Sequence, residues 1–220
     1  MIRDFHDAPG KYEQLNNITN DSKALSVRHC RTKNSHVGIS TLQQLTSLSA
    51  VSVNQDYLDE ICLLKNLTSL EMEIVTAEDL SGLRKLTNLR TLRLEAVRKA
   101  IKFEFLQFMT HLEALYLEHV KHLPSLELFS DMHHLKRLGI EGSMYTKAKV
   151  ETLEPFNGLK GLEGLYMTSV QLKDKKLTYL RGCSSLVYLQ CARFASKKNF
   201  EALRSAMPNL ECKWCDNWEI

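Results

Sequence analysis

One spacing of apolar residues recurs along almost the whole chain and leaves it few ways to fold. The segment LRKLTNLRTLRL places Leu83, Leu86, Leu89, Leu92 and Leu94 in the pattern L-x-x-L-x-x-L-x-x-L-x-L. The same frame fits Leu42, Leu45, Leu48, Val51 and Val53, then Ile61, Leu64, Leu67, Leu70 and Met72. It continues at Leu106, Met109, Leu112, Leu115 and Leu117, and at Phe129, Met132, Leu135, Leu138 and Ile140. Phe156, Leu159, Leu162, Leu165 and Met167 form the next copy, and Leu180, Cys183, Leu186, Leu189 and Cys191 the last full one. The third apolar position falls at residues 48, 67, 89, 112, 135, 162 and 186, in steps of 19, 22, 23, 23, 27 and 24. A unit this short cannot bury its own apolar face, so successive copies must stack and share one core. The closing pair of each copy, such as Leu92 and Leu94, alternates as a strand with one buried face does.

Two weaker copies flank these. Leu25 opens LSVRHC, with Cys30 at the last apolar position, and Leu210 opens LECKWC, with Lys213 where an apolar residue belongs. A terminal repeat has a neighbour on one side only, so such departures suit caps. The expected organisation is a single domain over residues 1–220, with an N-terminal cap at 1–24, repeats at 25–209 and a C-terminal cap at 210–220. No Pro-, Gly- or Ser-rich linker interrupts it. Asp56, Thr76 and Ser196 each precede helically spaced apolar residues and are expected as helix N-caps, with Pro208 ending the last helix.

These residues resemble the leucine-rich repeat family over roughly residues 25–215. The resemblance implies an α/β fold, a right-handed solenoid with a parallel β-sheet on its concave side and short helices on its convex side. The family usually sets Asn or Cys three residues after the last strand Leu, where the side chain bonds the backbone of the turn. Here that place holds Val75, Val97, Val120, Ser143, Val170 and Phe194, so the chain resembles a divergent subtype with apolar turns.

Charge and cysteine content narrow the function. The chain carries 29 Lys and Arg against 26 Asp and Glu, a net charge of +3. Bulk attraction to nucleic acid or a membrane surface is weak at that value, so neither is the expected partner. No apolar run approaches the roughly 20 residues of a membrane helix, and the polar start Met1-Ile2-Arg3-Asp4 offers no secretory leader. The six cysteines are scattered, which points to reduced thiols and a cytoplasmic location. Cys212-x-x-Cys215 lacks the second pair that a structural zinc site uses, so no metal is expected there; Cys215 is read as buried like Cys191 and Cys30. His111, His119, His122, His133 and His134 crowd one stretch, yet no metalloprotease helix, phosphate loop or nucleophile elbow accompanies them. They are read as surface histidines. The chain is expected to have no catalytic residues and no cofactor.

Residues alternating with the buried strand positions must point out of the sheet. The strands therefore present Glu71 and Glu73, Arg93 and Glu95, Tyr116 and Glu118, and Glu141. Later strands add Tyr166 and Tyr188, and the last is expected to add Trp214. Glu73, Glu95, Glu118 and Glu141 share one place in four consecutive repeats. Parallel strands are about 4.8 Å apart, so these carboxylates would repel by about 1 kcal/mol per neighbour. An acidic row bordered by tyrosines reads as an exposed surface kept for a partner. Lys and Arg crowd the other parts of the repeats.

The expected function is a non-enzymatic protein–protein interaction module that grips a basic-patched protein in its concave groove through these residues. An inhibitor or immunity protein that neutralises a toxin is one concrete version. The alternatives are an intracellular scaffold or adaptor, or binding of phosphate or nucleic acid through the convex Lys/Arg face.

Overall fold

A computed structural model of the chain describes residues 10–12, 15 and 26–218. They fall into two compact units. One runs to Leu112 and includes Val120–Leu123; the other takes in Glu113–His119 and the chain from Pro124 onward.

The spacing of three in the repeat has a direct backbone meaning. The amides of the second and third apolar residues donate to the carbonyl of the apolar residue three places before. Leu86 donates to Leu83 and Leu89 to Leu86, both at 3.0 Å; Met109 donates to Leu106 at 3.0 Å and Leu112 to Met109 at 2.9 Å. Such i to i+3 bonds are those of a 3-10 helix. Short 3-10 turns accordingly form at Ser81–Lys85, Glu104–Phe108, Leu126–Phe129, Glu154–Phe156 and Thr178–Gly182. The turn at Ser81–Lys85 stands where the helix after Thr76 was expected, and the other two expected places form α-helices. Thr76 caps none; the first helical turn after it begins at Ser81. An α-helix, α1, does form at Gln55–Ile61, but its cap is Asn54, whose side chain accepts from the Tyr57 amide at 3.1 Å, and not Asp56. Ser196 caps α2, Lys197–Ala206, as expected, accepting from the Asn199 amide at 3.3 Å.

In the first unit, strands β1 (Gly10–Tyr12), β2 (Ser26–Cys30), β3 (Ser47–Val51), β4 (Ser69–Glu73) and β5 (Thr91–Glu95) pair in parallel in that order. β1 lies within residues 1–24, where the sequence shows no repeat. Most of that stretch lies outside the described residues. In the second unit, β6 (Ala114–Glu118), β7 (Arg137–Glu141), β9 (Gly164–Met167) and β11 (Tyr188–Cys191) pair in parallel. A second, two-stranded parallel sheet joins β8 (Ala148–Val150) to β10 (Val170–Leu172). Leu92, Leu94, Leu115, Leu117, Leu138, Ile140, Leu165 and Met167 are all at most 1% exposed.

The structure corrects the frame of the first two repeats. Leu42 donates to Ile39 and Leu45 to Leu42, so the copy reads Ile39, Leu42, Leu45, Leu48 and Ala50. Leu48 and Ala50 pair with Leu70 and Met72 and are buried, while Val51 faces out. The sequence frame, led by the larger Val51 and Val53, stood three residues too late. In the preceding copy the frame stood one residue too late: Val27 and His29 are its inward residues, and Cys30 is half-exposed. A histidine is accepted in the core because Tyr57 meets it there. The two side chains bond through His29 Nδ1 and the Tyr57 hydroxyl at 2.7 Å, with both residues fully buried. Burial also pushes the Tyr57 phenol well above its usual range.

Main-chain bonds replace the missing amide ladder. Thr76 donates to the Val53 carbonyl, Arg98 to Val75 and Lys121 to Val97, at 2.7 to 2.9 Å. Val75, Val97 and Val170 are at most 1% exposed, filling the turns with apolar bulk. Each strand from β3 to β6 also exits through a left-handed residue: Ser52, Ile74, Ala96 and His119, with φ between 51° and 63°.

Candidate functional site

The two units present different outward faces. On the first, β4 and β5 set Glu71 beside Arg93 and Glu73 beside Glu95. The three carboxylates come within 4.8 Å of one another. The expected repulsion is answered by two guanidinium groups. Arg28, on β2, grips Glu73 through two bonds, Nη1 to Oε1 at 2.6 Å and Nη2 to Oε2 at 2.9 Å, and also reaches Ser49 at 2.9 Å. Arg93 lies 2.9 Å from Glu95 and 3.4 Å from Glu71. The bond to Glu73 holds Arg28 above its already high ordinary value. Two guanidiniums already sit among the carboxylates and meet most of the charge a metal ion would neutralise. The face is thus an ion-paired network rather than a bare acidic row. The sequence reading missed Arg28 because the slipped frame turned it inward; the spacing of Ile39, Leu42 and Leu45 was the signal that restores it.

On the second unit, Glu118 and Glu141 pair in register across β6 and β7. Glu141 departs from the expectation of an exposed carboxylate: it is 5% exposed. Its Oε1 accepts from the Thr168 amide and hydroxyl, both at 2.8 Å, and its Oε2 accepts from the Ser169 amide at 2.5 Å. It closes the turn after β9, work that leaves it unavailable to a partner. No local pattern marks this, since the groups it serves are main-chain amides 27 and 28 residues away.

Tyrosine dominates the rest of that face. Tyr116 on β6 lies flat over Gly139 of β7; a Cβ at Gly139 would fall 1.8 Å from the ring. Tyr166 on β9 stands in register with Gly139, and its ring passes 3.3 Å from where a Gly164 Cβ would be. Its ring centre is 5.4 Å from that of Tyr188 on β11, tilted by 45°. All three rings are half-buried.

Trp214 does not continue this row. After a single bridge between Tyr188 and Glu211 the chain turns into a short helix, α3 (Lys213–Asp216), so the expected last strand is absent. The Trp214 indole donates to the Cys191 carbonyl at 2.7 Å, covering the end of β11. The Arg193 guanidinium lies 4.5 Å from the Trp214 ring centre and 4.8 Å from that of Trp218. This turn also reverses the expected placing of the cysteines: Cys212 is buried and Cys215 only half-buried. Cys191 joins them. Hydrogen bonds from Cys191 and Cys215 to Cys212 hold the Cys212 thiol below its ordinary range and push the other two up. All six cysteines are free thiols. Of the five clustered histidines, His111, His119, His122 and His133 are exposed and His134 is half-buried.

No helix among the described residues is long and apolar enough to cross a membrane. No family model matches the chain, and no curated protein matches it. Solved structures do. An internalin (InlF) of Listeria monocytogenes is 20% identical, with a TM-score of 0.64 over 90% of this chain and 56% of its own. A leucine-rich repeat protein of Leptospira interrogans is 16% identical, with a TM-score of 0.57 over 92% of this chain and 57% of its own. A chain of the Drosophila Toll–Spatzle complex is 12% identical, with a TM-score of 0.58 over 82% of this chain and 25% of its own. The chain thus spans just over half the length of the two bacterial proteins. Their likeness, with the spacing of three, the parallel strands and the short helical turns, establishes the fold as an α/β leucine-rich repeat solenoid.

Proposed function

We propose that the chain is a non-enzymatic protein-binding module that holds its partner on the outward tyrosine face of the second unit. The observation that carries this reading is the seating of Tyr116 over Gly139 and of Tyr166 against Tyr188. Rings fixed in this way lose little freedom on binding, and tyrosine is a favoured interface anchor. A basic side chain from the partner would find the ring faces and, two residues along from Tyr116, the carboxylate of Glu118. Glu71, Glu73, Arg93 and Glu95 offer a polar network on the first unit's face.

One of the similar solved structures, that of Toll with Spatzle, is itself a protein complex. An inhibitor or immunity protein that masks a basic toxin is one form of the proposed function, and a scaffold or adaptor is another. A cytoplasmic setting, which keeps thiols reduced, suits the six free cysteines. The test is capture from native lysate on immobilised wild type and on the Tyr166→Ala, Tyr188→Ala double variant. A protein retained by the wild type and lost from the double variant supports the reading. A partner held equally by both overturns it.

A further inference from the structure

The first unit carries a groove that its outward face does not explain. It has a volume of about 920 Å³ and is lined by the segments that follow β4 and β5, together with Lys121 and His122. Two of its lining side chains are conspicuous. Ile101 is 65% exposed and Phe108 is 68% exposed, whereas Phe105 between them is 5% exposed. Phe103, almost fully buried, stacks on Phe105 at 6.3 Å between ring centres, so the apolar wall rests on a fixed base. Large apolar side chains left this open on one wall mark a contact surface rather than a core.

The groove is also cationic. Arg84, Arg98, Lys99, Lys102 and Lys121 line it, against Glu78, Asp79 and Glu104. Two of those acids are already engaged. Glu78 pairs with Lys99 at 2.9 Å, and the Asp79 carboxylate accepts the Ser81 amide at 2.8 Å in its own turn. Arg84, Arg98, Lys102 and Lys121 form no ion pair among the described residues, and all four are exposed.

We propose that this groove is a docking site for a segment of a partner protein in which carboxylates alternate with bulky apolar side chains. Leu or Phe side chains would cover Ile101 and Phe108, and Asp or Glu would pair with Arg98, Lys102, Arg84 and Lys121. Charge complementarity selects this occupant. A purely polyanionic ligand would leave both apolar side chains in water and meet the carboxylates of Glu78 and Glu104 on the same walls. The proposal goes beyond the tyrosine-face reading and stands without it, since its residues lie on different segments.

A short fluorescein-labelled peptide in which Asp and Glu alternate with Leu and Phe is the probe, titrated against the full chain by fluorescence anisotropy. The wild type binds it. Arg98→Glu with Lys102→Glu, and separately Ile101→Ser with Phe108→Ser, each weaken binding by about tenfold or more. Tyr166→Ala with Tyr188→Ala leaves it unchanged, which separates this result from the fate of the proposed function. All the changed groove residues are exposed, so melting is expected to stay the same. Should one pair melt early, Lys121→Glu alone carries the same expectation of weaker binding. The proposal is overturned if the peptide does not bind, if a poly-Glu peptide binds as well, if single-stranded oligo-dT binds more tightly, or if the variants keep wild-type affinity.

Discussion

The outward faces of the two units are built from the same strand positions and reach opposite ends. On the first, Arg28 and Arg93 satisfy Glu71, Glu73 and Glu95 within the fold. On the second, Tyr116 and Tyr166 lie in line with Gly139, Tyr188 stands in register with Gly164, and Glu141 is withdrawn to hold the Thr168 and Ser169 amides. A row of like residues along a repeat therefore does not define a surface. What each residue bonds in its own unit decides whether it is available to a partner, and Glu141 shows that a shared place in the repeat is no guide to it.

Both faces rest on one kind of core, and the largest effect is expected there. Leu94→Ala in the first unit and Leu138→Ala in the second should each cost about 2–5 kcal/mol, because both side chains are fully buried. Denaturant unfolding checks this, and a marked inequality would show that the two cores are not equivalent. Next come the polar groups. Glu141→Ala strips three acceptor contacts from the turn after β9 and should cost about 1–3 kcal/mol, with little dependence on salt. Arg28→Ala breaks a pair whose side chains are 31% and 20% exposed, so about 1 kcal/mol or less is expected. That loss should shrink as salt rises. If Glu141→Ala proved the salt-sensitive one, the contrast between a turn brace and an ion pair would fail.

The smallest effect tests backbone strain. Ile74 is branched and held at φ 55°, a conformation that Asn tolerates better. Its side chain is 37% exposed, so Ile74→Asn should raise stability by up to about 1 kcal/mol, read as a higher melting temperature.

Much of this was legible in the chain. Seven copies of one spacing predicted the parallel strands, and from Leu70 to Leu189 the inward residues were placed correctly. The reading slipped where the buried strand residue was Ala50 and the next one out was Val51, because hydrophobicity alone favours the larger side chain. Burial of His29 was hidden for the same reason, since only the fold brings Tyr57 to it. The outward strand positions were legible as well; their bonding was not. Arg28 reaches Glu73 across 45 residues and Glu141 braces a turn 27 residues away, contacts that no local pattern encodes. Trp214 was misplaced because strand pairing there is a single bridge, after which a short helix takes over and sets the indole against the Cys191 carbonyl and Arg193.

The central claim is that the second unit's tyrosine face binds and the first unit's ion-paired face chiefly holds itself together. The most direct test measures affinity for the captured partner, by surface plasmon resonance, in two variants that each keep the fold. Tyr166→Ala with Tyr188→Ala should weaken binding by about tenfold or more through faster dissociation, while Arg93→Ala should change it by less than about threefold. The opposite order, with Arg93→Ala abolishing binding and the tyrosine variant retaining it, would contradict the account.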